Sequence, residues 1–167
     1  MTTKRRRWRQ PNQWGQLTPL EIALSQARKF TVDEVAKVRA ASSTARQALQ
    51  FGGFNAAHWS ALAEALNHAE GLAQPGINLA PDHLHTIEAG QQALADLRHR
   101  RATRNTWAAT AADFKALDDA LWVWGVQLSH VSVGEYRRAQ AWMLAQERAA
   151  RAGQPGRTVV HVDDIED

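Results

Sequence analysis

The chain contains no cysteine. Disulfides, thiolate metal sites, iron–sulfur ligation and thiol nucleophiles are therefore all excluded. Material for β-strands is also thin. There are four phenylalanines and one tyrosine, and valine and isoleucine are sparse, whereas sheets draw on branched and aromatic side chains. No stretch approaches the ~18 consecutive apolar residues that a membrane span needs. The basic start is followed by Gln10, Pro11, Asn12 and Gln13, where a signal peptide would carry its apolar segment. These absences lead us to expect a protein of the cytoplasm with no membrane partner.

What is present favours helix. Alanine, the best helix former, occupies 31 of 167 positions, a length that suits one domain with a real core. Seven tryptophans stand beside the single tyrosine. Sixteen of the twenty basic residues are arginine. With the alanine load, this suggests a GC-rich bacterial, phage or plasmid genome. The net charge of +3 is uneven. Lys4, Arg5, Arg6, Arg7 and Arg9 hold five cations, and without them fifteen basic residues face seventeen acidic ones. Asp163, Asp164, Glu166 and Asp167 close the chain. The charge layout is thus a positive head, a nearly neutral body and a negative tail.

Punctuation along the chain predicts an all-α fold, a single-domain bundle of about six helices spanning residues 18–153. A basic extended arm, 1–17, precedes it, and a short extended acidic tail, 154–167, follows. Thr18-Pro19-Leu20-Glu21, Thr31-Val32-Asp33-Glu34 and Ser132-Val133-Gly134-Glu135 have the form of capping boxes. Asn55 can cap a further helix, and Thr110 a fifth. Gly52-Gly53 and Pro75-Gly76 are breaks, with 77–80 as a linker. Leu20, Ala23, Leu24 and Ala27 form an expected inward stripe on the first helix. The cleanest stripe, Phe114, Leu117, Leu121, Trp124 and Leu128, has the alternating spacing of a coiled-coil seam. Trp122, Val123 and Val126 make that helix apolar on more than one face, so it should be central in the bundle or covered by a partner. The one β-like run, 157–162, has no strand to pair with in the chain.

Three cationic groups stand out. The arm, Lys4-Arg5-Arg6-Arg7-Trp8-Arg9, offers guanidinium forks for phosphate oxygens and an indole for base stacking. Arg98, Arg100, Arg101 and Arg104 crowd the end of the fourth helix, beyond what the helix dipole alone requires. Arg137 and Arg138 lie near the start of the last helix, where the dipole disfavours cations. On the apolar side, Trp122 and Trp124 differ by about 200° around a helix, so they face different ways. With Val126 they are the candidate protein interface.

Nothing comparable points to catalysis. Asp82-His83-Leu84-His85 places two imidazoles two residues apart, a poor helical chelate. Asp118 and Asp119 are adjacent and diverge. No phosphate loop, nucleophile elbow or Ser–His–Asp pattern occurs. The expectation is therefore a non-enzymatic binding protein without metal, cofactor or evident small-molecule substrate, such as an accessory factor of a bacterium, phage or plasmid. Its partner would be nucleic acid, met through the arm and the arginine clusters. The alternative is a protein partner, with the chain acting as an inhibitor or adaptor, or as a homodimer.

Overall fold

A computed structural model describes residues 19–74 and 82–152. Among these residues there are six α-helices and no strand: α1 (Pro19–Ala27), α2 (Val32–Phe51), α3 (Ala56–Ala73), α4 (Asp82–Arg104), α5 (Ala111–His130) and α6 (Val133–Arg151). The fold is an all-α bundle. The basic arm, the 77–80 linker, the β-like run and the acidic tail lie outside the described residues.

Local chemistry starts the helices where the sequence places them. Thr31 accepts a hydrogen bond from the Glu34 amide, and the Glu34 carboxylate accepts from the Thr31 amide at 2.9 Å. The same reciprocal pairing joins Thr110 to Asp113 and Ser132 to Glu135. The Asn55 side chain accepts from the His58 amide. Each box satisfies amides that a helix start otherwise leaves without partners. Between α2 and α3, Gly52 and Gly53 both take positive φ, +97° and +83°, which costs a residue without Cβ nothing sterically.

The sequence led us to expect α5 to be either central or covered by a partner, whereas the central helix is α3. It packs against α2, α4, α5 and α6, and its buried residues encircle it from Trp59 to Leu72. The reason is width. Ala63, Ala65, Ala69 and Gly71 are all buried, and small side chains let four neighbours approach one helix. Trp59, Leu62, Leu66 and Leu72 fill the spaces between them. The α5 seam still faces inward: Leu117, Leu121, Trp124 and Leu128 are buried. It meets α3 and α4 rather than a matching seam.

α6 passes α3 in the same chain direction, with Tyr136 beside His68 and Ala139 and Trp142 against Gly71. α1 lies on α6. The Val133 amide donates to the Arg28 carbonyl at 2.9 Å, Lys29 and Ser132 form an isolated antiparallel bridge, and Phe30 meets Tyr136 edge-on. The expected inward stripe of α1 is not buried. Leu20 is 68% exposed, and Ala23, Leu24 and Ala27 are exposed as well. A nine-residue helix laid on the outside of α6 has no neighbour deep enough to cover a stripe.

Gly90 sits at the closest approach of α4 to α5. A Cβ there would lie 2.6 Å from the Ala120 Cβ and 3.1 Å from a Leu66 methyl. This explains a glycine in mid-helix that local preference disfavours by ~1 kcal/mol. Gly90→Ala should therefore destabilise the fold despite its better helix propensity, because overpacking costs about 1–3 kcal/mol. Urea denaturation checks this, and a higher midpoint for the variant would contradict the tight crossing.

Candidate functional site

At one end of the bundle the C-terminus of α4 meets the α2–α3 turn and the α4–α5 connection. Arg101 places its guanidinium 5.9 Å from the centre of the Trp107 ring and donates to the side chain and carbonyl of Asn105. Asn105 has φ +53°, the left-handed conformation that commonly closes a helix. Arg98 lies 5.8 Å from the Trp59 ring centre, and the Trp59 indole donates to the Leu94 carbonyl at 2.9 Å. Phe54 packs edge-on against Trp107 and stacks on His58. Phe51 is 79% exposed beside them in sequence. His99, Arg101 and Arg104 are exposed. Arg101 and the rings of Trp107 and Phe54 thus adjoin at this end of the bundle. The arginines were legible in the sequence. Phe54 was not, because about fifty residues separate it from Arg101 and Trp107, and only the tertiary fold brings its ring to Trp107.

Arg100 behaves differently from its neighbours. Its guanidinium donates to the Asp113 carboxylate at 2.5 Å, and both side chains are largely buried. That carboxylate also accepts from the Thr110 amide at 2.6 Å and the Thr110 hydroxyl at 2.8 Å. Arg100 therefore fastens the end of α4 to the start of α5, with its charge held by Asp113.

The other sequence candidates lie elsewhere. Arg137 and Arg138 are exposed on α6, beyond the opposite end of α5, which is about 30 Å long. The fold does not bring the two arginine clusters together. The arm residues Lys4, Arg5, Arg6, Arg7, Trp8 and Arg9 lie outside the described residues. Trp122 is 63% exposed and Val126 half-buried, whereas Trp124 is 2% exposed and belongs to the core. Asp118 receives a forked pair of bonds from Arg46 at 2.6 and 2.8 Å, and Asp119 pairs with Lys115 at 2.6 Å. His83 is half-buried and His85 exposed. Among the described residues no three His, Asp or Glu side chains converge as a metal site would require.

A second feature was invisible in the sequence. A cavity of about 160 Å³ lies where α2, α3, α5 and α6 meet, and it is lined in part by Ser42, Glu64, His68, Trp124 and Tyr136. His68 is only 3% exposed, and burial pushes its imidazole down to about 4. The Tyr136 phenol is raised, first by burial and then by the nearby Glu64 charge. The His68 Nε2 and the Trp124 Nε1 are both buried without a hydrogen-bond partner among the described residues. These groups come from four helices, so no spacing in the chain announces them.

Comparison with known protein families, curated proteins and solved structures finds no match to this chain.

Two stability outcomes follow. Asp113→Ala removes the carboxylate half of the α5 capping box and strands a mostly buried guanidinium, and should cost about 2–4 kcal/mol in urea denaturation. Arg104→Ala, on the exposed surface, should stay within about 0.5 kcal/mol. Equal effects would contradict the distinct placements. His68 governs a pH response. The unfolded chain protonates this imidazole near 6.5, the folded one only near 4. Between those values the unfolded state holds more protons, so stability falls as the pH drops from 6.5 to 4, by up to about 3 kcal/mol from this group. His68→Gln should flatten the stability profile over that window, and an unchanged slope would refute the assignment.

Proposed function

We propose that this protein is a non-enzymatic nucleic-acid-binding protein of the cytoplasm. It would hold a strand against the α4 end of the bundle, assisted by Lys4, Arg5, Arg6, Arg7, Trp8 and Arg9. The observation that carries the reading is the exposed Arg101 beside the Trp107 ring, which Phe54 meets edge-on at the same end of the bundle. No carboxylate among the described residues pairs with Arg101 or Arg104, so their charge is available to phosphate oxygens. Phe51 offers an exposed ring on which a base can stack, as single-strand binders commonly do. Arg98 supplements the field, while Arg100 holds the platform in place through Asp113. Arg137 and Arg138, at the far end, would add long-range attraction rather than direct contact with the same short segment. An accessory factor of a bacterium, phage or plasmid is the setting that composition suggests.

A second reading has its own observation. A tryptophan exposed to 63% on α5 is the kind of side chain that anchors protein contacts. In that reading Trp122 and Val126 form the contact, and the chain acts as an inhibitor, an adaptor or one half of a homodimer. Trp124 does not belong to that surface, since it is part of the core.

Fluorescence anisotropy with a labelled mixed-sequence single strand tests the first reading. Affinity should fall steeply with salt. The double change Arg101→Ala and Arg104→Ala should lessen the slope of log K against log salt by about 1.4, the release expected for two phosphate contacts. Deleting residues 1–9 should lessen it further. Trp122→Ala should leave the strand affinity unchanged and, under the second reading, shift the mass measured by light scattering. Binding that ignores both salt and the arginine changes would overturn the proposal.

A further inference from the structure

An outward stripe of α2 forms a groove of about 470 Å³, lined among the described residues by Val32, Val35, Ala36, Arg39, Ala40 and Ser43. These positions recur at three- and four-residue spacing, so they share one side of the helix. Val32 is 86% exposed, and Ala36, Ala40 and Ser43 are exposed as well. α5 runs beside this stripe and touches α2 at two crossings. At one, the Arg46 guanidinium meets the Asp118 carboxylate. At the other, Arg39 lies so close over Gly125 that an added Cβ would fall 2.9 Å from its guanidinium carbon. Trp122 stands between Asp118 and Gly125, within about 40° of the first and 60° of the second around α5. Ser43 holds the matching place between Arg39 and Arg46 on α2. The exposed Trp122 side chain is thereby brought to the Ser43 end of the groove. No ion pair among the described residues involves Arg39.

We infer that this groove is the docking site of the chain's own residues 157–167, which lie outside the described residues. A segment that covers the groove has to bring apolar side chains to Val32, Val35 and Trp122, and negative charge to Arg39. Residues 157–167 carry both. Val159, Val160, Val162 and Ile165 are branched and apolar, and Asp163, Asp164, Glu166 and Asp167 are acidic. Charge argues against the opposite terminal stretch. Residues 1–18 contain two tryptophans, but Lys4, Arg5, Arg6, Arg7 and Arg9 would bring five cations toward a guanidinium that lacks an anion. Reach permits docking within one molecule. α6 is about 28 Å long, and its first turn meets the chain entering α2, where Phe30 packs on Tyr136. Residues 153–162 span up to about 34 Å when extended, so a tail leaving the end of α6 returns as far as the start of α2. Attachment to the same bundle raises the local concentration of this tail above that of any second copy's. The inference is independent of the nucleic-acid reading. It adds a condition to the protein-contact reading, since a partner at Trp122 has to displace the tail.

The absence of cysteine lets one introduced thiol carry a unique probe. A nitroxide on His161→Cys in the full chain is read through paramagnetic broadening of ¹H–¹⁵N signals, and Trp122→Phe identifies the Trp122 indole resonance. Broadening should concentrate on the amides of Ala36, Ala40 and Ser43 and on the Trp122 indole. A mixture of nitroxide-bearing ¹⁴N chain with probe-free ¹⁵N chain should leave those signals sharp. Ala36→Glu puts like charge into the groove at an exposed position and should abolish the broadening, with far-UV circular dichroism unchanged. If that variant fails to fold, Arg39→Gln gives the same decision through loss of most of the broadening. Broadening centred on Arg101 and Arg104, or absent from the whole bundle, overturns the proposal. Broadening in the mixture assigns the groove to a second copy and overturns it too. Groove broadening that persists in a folded Ala36→Glu chain does the same.

Discussion

The bundle depends on α3 being narrow enough to be surrounded. Four helices reach one axis only if the residues at the contacts are small. Ala63, Ala65, Ala69 and Gly71 meet that condition on α3, and Gly90 meets it where α4 crosses α5 against Ala120. Burial of apolar surface supplies the driving force, at roughly 25 cal/mol per Å². The small residues decide whether that surface can be reached at all. Leu62, Leu66 and Leu72 then occupy the gaps left between helix axes.

A helix with four neighbours also buries most of the polar residues along its second half. Asn67, His68 and Glu70 lie within four positions on α3 and are all buried, whereas Glu64 is exposed. Two of them are met from α4, where the Gln91 amide donates to Asn67 at 3.3 Å and to Glu70 at 2.9 Å. From α5, Gln127 donates to the Ala69 carbonyl at 3.1 Å. The His68 Nε2 has no such partner among the described residues. The burial that comes with a central position on α3 is also what depresses the protonation of this imidazole.

Charge is organised by the helix ends rather than by the core. At the α4 terminus one arginine is consumed structurally, because Asp113 needs a cation once it is buried as the third residue of α5, in the capping box with Thr110. Arg101 and Arg104 are left exposed, Arg101 beside the Trp107 ring. Arg46 is likewise absorbed, lying between Asp118 and the Phe114 ring, 4.5 Å from its centre. A count of arginines overstates the accessible cationic surface, and geometry separates the cations that hold the fold from those that face outward.

Much of the local architecture was legible in the chain itself. Capping residues within three positions of each other, glycine pairs and helical periodicity are interactions along one helix, so the chain alone predicted about six helices, the caps of α2, α3, α5 and α6, and the opposite facing of Trp122 and Trp124. It did not determine which helix lies at the centre. The α5 seam carried the stronger periodic signal, while the alanine-rich faces of α3 carry little hydrophobic contrast and win through close approach. Nor could it join Arg100 to Asp113, Phe54 to Trp107, or Ser42, His68, Trp124 and Tyr136 around one void. Those meetings depend on how whole helices cross, and crossing is decided by complementary shape between distant segments, a property that no window along the chain contains.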